Sequence, residues 1–328
     1  MKCPRNEDGA ALLSVLLMVT IMAAIAVAMT DVALRSLSRA SAADARGRVG
    51  WQITGAEEAG LVAVAELFQT TSGELTIDNP VLGEPIFLEA QGGRISGQVS
   101  DASNCFNLNA LAGLEDDDGE IEEQPFAVNT YRALLLSLDL SEFEVEALTD
   151  ALMDWLDSDS TPRIAGAEDA YYLSLSPPYR TGGQPMADVS ELRAVLGYES
   201  EVVAALEPLV CVRHDSSLGP FNVNTMQEIH APLMVTTLGG GVTLQEAEDI
   251  LNRRPFGGWR SLDDFLELES VSRINPELVR TNLIGTATNY VEFRGTAYFG
   301  NVSADFATLY SIGEAETVRI ARRDRSPR

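Results

Sequence analysis

The 328-residue chain carries 49 acidic and 23 basic side chains, which give it a formal net charge of −26. Nucleic-acid affinity depends largely on Lys and Arg, so this balance argues against a domain built to neutralise phosphates, and we expect no nucleic acid as a partner. The length allows more than one compact unit with its own hydrophobic core.

An uncharged apolar segment comes first. From Ala10 to Met29 only Ser14 and Thr20 interrupt the run of hydrophobic and small side chains. About 20 such residues suffice to cross the hydrocarbon core of a bilayer as a helix. We therefore predict a transmembrane helix over residues 10–30.

The residue before this segment, Gly9, indicates how the segment is processed. A secretory signal peptide has its small-residue cleavage site after the apolar region, whereas Gly9 precedes that region and follows a short polar leader. The arrangement resembles a type IV prepilin signal, in which prepilin peptidase cuts after the glycine and the apolar helix is retained. The resemblance implies removal of residues 1–9 and a mature N-terminus at Ala10. An ordinary signal anchor, with Gly9 there by chance, is the alternative.

Three cysteines are present, and Cys3 lies in the leader, which leaves Cys105 and Cys211. The prepilin signal implies an oxidising compartment, in which an even pair of cysteines predicts a disulfide. Two buried free thiols are the alternative.

Residues 31–68 contain no proline and carry a loose apolar stripe, so we predict that the helix continues through them. The segments Ile86–Leu88 and Ile95–Val99 flank a short linker that contains two glycines. This pattern predicts a β-hairpin.

From Phe106 to about Arg280 the pattern is helical, with loops between the helices. The motif Phe106–Ala110 recurs as Phe221–Thr225, and each copy leads into amphipathic helices. We therefore predict an inserted α-helical domain, residues 106–280, made of two related units at about 106–215 and 216–280.

Strand patterns return after residue 280, at Tyr290–Arg294, Ala297–Phe299, Ala304–Tyr310 and Thr317–Ile320. The basic tail from Arg319 to Arg328 is expected to fray. Strand patterns on both sides of a helical block predict one sheet domain, residues 31–105 and 281–328, that the insertion interrupts. The predicted fold class is α+β.

Short motifs through most of the chain resemble the K-type minor pseudopilin of the bacterial type II secretion system. In chain order they are Ala10–Leu13 after the leader, Cys105–Leu111, Asp154–Asp159, Gly166–Asp169 with Tyr171 and Tyr172, Ser190–Arg193, Phe221–Thr225 and Arg253–Gly258. Their order and spacing carry the resemblance. It implies a type IV pilin-like fold, a long N-terminal helix on an antiparallel sheet, with a large all-α insertion of two SAM-like or helix-hairpin-helix-like units.

The resemblance also implies a place and partners. A K-type subunit is expected in the bacterial inner membrane as a single-pass protein, with its C-terminal domain in the periplasm. It would initiate or cap the pseudopilus at its tip and so support the export of folded proteins across the outer membrane. The expected partners are the I-, J- and H-type minor pseudopilins, the major pseudopilin and prepilin peptidase.

Ser14 fits this position. It would be the fifth mature residue, where most pilins carry a glutamate and where the K-type subunit is similar in lacking one. That glutamate is thought to meet the N-terminus of the subunit above, and a carboxylate in lipid is costly unless it is paired. A subunit at the tip has nothing above it, so serine avoids an unsatisfied charge.

One group of acidic residues predicts a metal site. The residues are Asp154, Asp157, Asp159, Glu168 and Asp169. Carboxylates this close repel one another unless a cation lies among them, and hard oxygen ligands favour calcium, which the resemblance also implies. The alternative is that these residues cap helices and pair with Arg163 or Arg180.

The sequence does not indicate an enzyme, because neither of its two histidines, His214 and His230, has metal-ligand spacing. We assign His230 a structural role in a helix-ending context and Gly239–Gly241 to an inter-helix turn. The second unit also resembles a helix-hairpin-helix module, so a membrane-anchored DNA-binding protein is the alternative function. Glu246, Glu248 and Asp249 surround that hairpin and disfavour phosphate.

Overall fold

The computed structural model of the chain describes residues 7–71, 73–90, 92–112, 114–115, 121–122, 124–312 and 318–324. The α-helices are α1 (Glu7–Thr71), α2 (Pro125–Leu136), α3 (Glu142–Leu156), α4 (Asp169–Tyr172), α5 (Ser200–Leu206), α6 (Ala231–Thr237), α7 (Leu244–Asn252), α8 (Leu262–Leu266) and α9 (Glu269–Ser272). The strands are β1 (Pro85–Ala90), β2 (Gly93–Asp101), β3 (Phe106–Asn107), β4 (Leu114–Glu115), β5 (Ile121–Glu122), β6 (Val210–Cys211), β7 (Phe221–Asn222), β8 (Ile284–Gly285), β9 (Tyr290–Phe299), β10 (Val302–Ile312) and β11 (Val318–Asp324).

α1 is one helix of 65 residues, about 97 Å long at the standard helical rise. The side chains of residues 11–40 are exposed, and the most apolar window of the helix has a mean hydropathy of 2.7, so this part is long and apolar enough to cross a membrane. Farther along, Val49, Ile53 and Phe68 are buried against the sheet. The prediction that the apolar segment and residues 31–68 form one long helix is confirmed.

The sheet has the strand order β1-β2-β9-β10-β11, and every neighbouring pair is antiparallel. Segments from both sides of the helical block therefore form one sheet, as predicted. The hairpin predicted from Ile86–Leu88 and Ile95–Val99 is the β1–β2 pair. α1 covers one face of this sheet, and the two together form a pilin-like head with its own hydrophobic core.

The two strands predicted at Tyr290–Arg294 and Ala297–Phe299 are a single strand, β9. The two predicted segments leave Gly295 and Thr296 between them, but both residues are paired within the sheet, and Gly295 lies opposite Gly97 of β2. A Cβ atom on Gly295 would come within 2.6 Å of the carbonyl oxygen of Ser96. The glycine permits close packing within the sheet rather than a turn.

The expectation that the tail frays from Arg319 onward is wrong as far as Asp324, because residues 318–324 form β11. Arg323 in this strand donates to the carboxylate of Glu57, which is fully buried on α1. Thr308 of β10 donates to the same carboxylate. This buried ion pair fastens the last strand to the helix.

The helical block contains α2 to α9 and one continuous core that runs from Phe106 to Ile284. Each copy of the repeated motif begins a two-residue parallel pair, β3 with β6 in the first case and β7 with β8 in the second. The second pair ends at Gly285, a few residues beyond the end of the insertion that we predicted at 280.

The second asparagine of each motif makes equivalent bonds. Asn109 accepts from the backbone N–H of Met186 and donates to the same residue's carbonyl oxygen. Asn224 does the same with Trp259. An amide side chain can satisfy one backbone N–H and one C=O at once, so each asparagine fixes a distant loop to the start of its unit.

The helical block lies beyond the C-terminal end of α1. Asn222 donates to the carbonyl oxygen of Leu75, just after α1, and to the carboxylate of Asp101 at the end of β2. The backbone carbonyl oxygen of Asn224 accepts from the backbone N–H of Ile77. These bonds join the block to the end of the head that lies away from the apolar part of α1.

Candidate functional site

The acidic cluster is built at the C-terminal end of α3. The helix begins at Ser141, whose side chain accepts from the backbone N–H of Glu144 in a capping box. It ends at Leu156, and Asp157 is the capping residue with an extended backbone. Asp154, one turn earlier, is completely buried. The end of this helix therefore directs two carboxylates inward.

Three of the five predicted acidic residues converge. Carboxylate oxygens of Asp154, Asp157 and Glu168 all lie within 4.8 Å of one another. Arg163 Nη1 donates to Asp154 Oδ1 over 2.7 Å and to Asp157 Oδ2 over 2.5 Å. The Arg163 guanidinium thus supplies one positive charge to the cluster, as the alternative interpretation expected.

The cluster is electrostatically strained. Burial raises the pKa of Asp154, and Arg163 offsets part of that effect. Burial, followed by the negative charges of Asp157 and Asp154, raises the pKa of Glu168 to about 7. Within the described part of the chain, Oδ1 of Asp157 and Oε1 of Glu168 are buried without a hydrogen-bond partner. One guanidinium therefore does not satisfy three carboxylates, and hard oxygen donors remain for a cation.

The other two predicted residues lie outside the group of three. Asp159 is exposed and accepts from the backbone N–H of Thr161. Asp169 accepts from Arg180 Nη1 and from Thr181. The structure thus contains both of the arginine pairings that the alternative interpretation named.

Sequence reasoning missed one carboxylate beside the cluster. Asp150 is 7% exposed and accepts from the backbone N–H of Ala165, in the loop that returns to the cluster. It lies four residues before Asp154 on α3, so both side chains are on the same face of the helix. That spacing is the signal that could have identified it.

The predicted disulfide is present between Cys105 and Cys211, 106 residues apart in the chain. It lies next to the β3–β6 pair, where Asn107 is the partner of Cys211. The disulfide therefore closes the first helical unit at the point where the unit leaves the head.

The residues of the predicted processing signal lie at the start of α1. Only the backbone of Gly9 and Ala10 is described, and it is helical. Ser14 is exposed on the same helix, within its apolar part. The side chains at the cleavage position lie outside the described part of the structure.

The helix-hairpin-helix interpretation corresponds to α6, a glycine turn and α7. His230 is the last residue of a short 3-10 helix, Glu228–His230, as its predicted helix-ending context implies, and α6 begins at the next residue. A Cβ atom on Gly239 would overlap the carbonyl oxygen of Leu278, and Gly241 is packed as closely against Ile274. Two of the three turn glycines thus contact the chain itself and are not open to a phosphate.

A long apolar N-terminal helix packed on an antiparallel sheet, with a helical block inserted between β2 and β9, defines the protein as a pilin-like subunit with a candidate membrane anchor. Family models described as "Type II secretion system (T2SS), protein K" match residues 104–215 and 221–287. The type II secretion system protein K of Aeromonas hydrophila is 31% identical over 330 residues, which cover 97% of each chain. That of Klebsiella pneumoniae is 34% identical over 84% of this chain and 83% of its own.

Among solved structures, a chain of "The Crystal Structure of the GspK-GspI-GspJ complex from enterotoxigenic Escherichia coli Type 2 Secretion System" aligns with a TM-score of 0.71. The alignment covers 85% of this chain and 96% of that one at 24% identity, and it supports the shared fold. The chain belongs to the type II secretion system protein K family. It acts in type II secretion as a minor pseudopilin.

Proposed function

We propose that this minor pseudopilin occupies the tip of the pseudopilus, anchored in the inner membrane by α1, with the head and the helical block in the periplasm. The observation that carries the proposal is the position of the block beyond the C-terminal end of α1, held there by the bonds of Asn222 and Asn224. A further subunit stacked on that end of the head would meet the block. The subunit is therefore suited to initiate or cap a filament.

Ser14 supports the same position. A glutamate within an apolar helix needs a partner of opposite charge, because a carboxylate in lipid is strongly destabilising when it is unpaired. Serine at this site makes no such demand. A subunit with nothing above it can therefore remain in the membrane without an unpaired charge.

The proposed partners are the I- and J-type minor pseudopilins, then the H-type and the major pseudopilin. The structurally similar chain comes from a complex of K, I and J proteins, which supports these partners for a relative with the same fold. On α1, Trp51 and Val62 are large apolar side chains exposed beside the head. Helix-to-helix packing through such side chains is the expected mode of lateral association.

Co-purification of the full-length chain with tagged I- and J-type proteins in detergent tests the proposal, with native mass spectrometry as the readout. We expect a defined complex that contains one copy of this chain. A homo-oligomeric filament, or no association at micromolar concentration, would contradict the tip position. The Ser14→Glu variant provides a second test. It should impair insertion of the subunit at the tip in cells but leave the complex of the heads intact.

We also propose calcium as the ligand of the acidic cluster. The donor set fits, because Asp154, Asp157 and Glu168 offer hard carboxylate oxygens and two of these oxygens have no hydrogen-bond partner among the described residues. These three residues would hold the ion. Since Arg163 already contacts Asp154 and Asp157, the guanidinium and the ion would compete for the same oxygens. Bound calcium would fasten the loop after α3 to Glu168 and so stiffen the first unit.

A further inference from the structure

A cleft of about 390 Å³ separates the outer face of the sheet from the helical block, and both Cys105 and Cys211 line it. Both cysteines are half-buried. The disulfide between them is therefore open to a small reagent or to a partner that enters the cleft. An accessible disulfide differs chemically from the fully buried kind, because thiol exchange requires access to a sulfur atom.

A buried arginine contacts one of the two sulfur atoms. Arg213 is 5% exposed, and its Nη2 lies 3.3 Å from Cys105 Sγ and donates to the carbonyl oxygen of Ala102 over 3.0 Å. Its guanidinium carbon lies 3.9 Å from the centre of the Tyr290 ring. Burial lowers the pKa of Arg213, but Tyr290 and the negatively charged carboxylates of Asp215 and Asp101 oppose that effect. The guanidinium keeps its positive charge next to the sulfur.

The backbone of Arg213 is fixed by the repeated motif. Its N–H donates to Asn107 Oδ1 over 3.0 Å, and its carbonyl oxygen accepts from Asn109 Nδ2 over 2.7 Å. Because main chain and side chain are both held, the guanidinium cannot easily leave Cys105. The contact is asymmetric, since the hydrogen bonds found for this guanidinium among the described residues reach the sulfur of Cys105 and not that of Cys211.

We propose that the Cys105–Cys211 disulfide undergoes thiol–disulfide exchange and that one of its sulfurs is attacked in preference to the other. The incoming thiolate attacks the sulfur of Cys211, and Cys105 leaves as a thiolate beside Arg213. A positively charged neighbour lowers the pKa of a thiol, and a thiol of lower pKa leaves faster in exchange. The co-reactant is a dithiol, such as a thioredoxin-like oxidoreductase that enters the cleft. This inference is independent of the tip position.

The exchange proceeds in two balanced steps. A thiolate of the dithiol bonds to Cys211 Sγ, the Cys105–Cys211 bond breaks, and its electron pair remains on Cys105 as a thiolate next to the guanidinium. The second thiol of the reagent, after giving its proton to water, attacks the reagent's first sulfur and releases Cys211. The two cysteines gain two electrons, and the dithiol leaves as a disulfide. The reverse sequence forms the bond.

Glutathione tests the direction, because a monothiol leaves a mixed disulfide on the attacked cysteine. The full-length chain in detergent is treated briefly with glutathione, quenched with N-ethylmaleimide and mapped by peptide mass spectrometry. We expect glutathione on Cys211 and maleimide on Cys105. Glutathione on Cys105, or an equal distribution, would overturn the proposal. In the reduced protein, Cys105 should also react with iodoacetamide at a lower pH than Cys211, and the opposite order would contradict the proposal.

A pair of variants tests the role of the arginine. Arg213→Gln should slow reduction by about threefold or more and abolish the preference for Cys211. A merely structural role predicts the opposite sign, because a loosened fold exposes the disulfide and speeds its reduction. Arg254→Gln is the control, since Arg254 is a half-buried arginine that donates to the carbonyl oxygens of Val223 and Met226 and lies over Trp259. The disulfide of the Arg254→Gln variant should be reduced at the wild-type rate and with the wild-type preference for Cys211. Faster reduction of Arg213→Gln with the preference unchanged would refute the assignment.

Discussion

Arg323 donates from Nε to the carboxylate of Glu57 over 3.0 Å, although the two residues are 266 positions apart in the chain. Glu57 is fully buried, whereas the side chain of Arg323 is 44% exposed. The same guanidinium also contacts Glu58, which is 57% exposed. The last strand of the sheet thus supplies the counter-charge for a carboxylate inside the head.

Arg323→Ala should therefore loosen β11. An unpaired buried charge destabilises by roughly 3–5 kcal/mol, and the partial exposure of Arg323 reduces the expected loss to about 2 kcal/mol. Amide hydrogen exchange of β11 in the full-length chain measures the free energy of local opening. Glu58→Ala is the control and should change it by less than about 0.5 kcal/mol.

A second substitution tests the cause. In the Arg323→Ala background, Glu57→Gln should restore part of the lost stability, because it removes the buried charge and keeps an acceptor for Thr308. Additive losses from the two substitutions would show that the charge on Glu57 is not the reason for the effect.

Calcium should raise the melting temperature of the full-length chain, because a ligand that binds the folded state alone stabilises it by about 2.7 kcal/mol at a concentration of 100 times its Kd. Differential scanning calorimetry with calcium and with a chelator measures the gain. Asp157→Ala should remove it. Asp159→Ala should retain it, because Asp159 lies outside the group of three. If calcium no longer raised the melting temperature of Asp159→Ala, the result would instead support all five acidic residues predicted from the sequence as ligands.

The competition between Arg163 and the ion allows a separate test of calcium binding. Arg163→Ala should lower the melting temperature in chelator, because the carboxylates of Asp154 and Asp157 lose their counter-charge. It should also tighten calcium binding measured by titration calorimetry. An Arg163→Ala variant that binds calcium more weakly than the wild type would contradict competition for the same oxygens.

His230 should make the stability depend on pH. Burial, followed by the charge of Arg254, lowers its pKa to about 4, and its Nδ1 accepts from the backbone N–H of Gln227, which requires the neutral ring. The unfolded chain has the ordinary pKa of about 6.5 and therefore binds more protons between pH 6.5 and 4. The contribution of His230 is thus complete above pH 6.5 and is lost as the pH falls through this window. The full loss is of the order of 3 kcal/mol.

Urea unfolding at pH 7 and pH 4.5, in chelator, measures this effect. His230→Gln should lose less stability between the two pH values than the wild type, while His214→Gln should behave like the wild type. Equal losses in all three proteins would assign the acid sensitivity to carboxylates alone.

Processing should leave Ala10 as the N-terminal residue. Intact mass spectrometry of the membrane-extracted protein should show the loss of residues 1–9, and Gly9→Leu should retain them, because the larger side chain blocks the peptidase. A wild-type chain with its leader intact, or one cut after Met29, would contradict a prepilin signal.

The parts of the fold that depend on local pattern could be predicted from the sequence. The apolar run through Met29 and the hairpin formed by Ile86–Leu88 and Ile95–Val99 are both determined by neighbouring residues. The strand β9 was predicted as two segments because a glycine that permits close strand packing, such as Gly295, and one that forms a turn look alike in the sequence. The tail at Arg323 was misread because its partner Glu57 lies at the other end of the chain.

The acidic site could be predicted in composition but not in detail. The spacing of Asp154 and Asp157 and the return of Glu168 indicated a cluster, and the structure brings these three residues together. The side chain of Asp159 follows the loop backbone and that of Asp169 is bound by Arg180, and the sequence left this pairing open as an alternative to metal binding. The role of Asn109 was equally hidden, because its partner Met186 is 77 residues away.

The register of the sheet has one more consequence. Asp101, the last residue of β2, is the direct partner of Val291 in β9, so the chain leaves the sheet and returns to it one strand spacing apart, about 4.8 Å. A tight turn could span that gap, and the five-stranded sheet and α1 have a hydrophobic core of their own. The block could thus be enlarged, exchanged or shortened during evolution without any change in the residue pairing between β2 and β9.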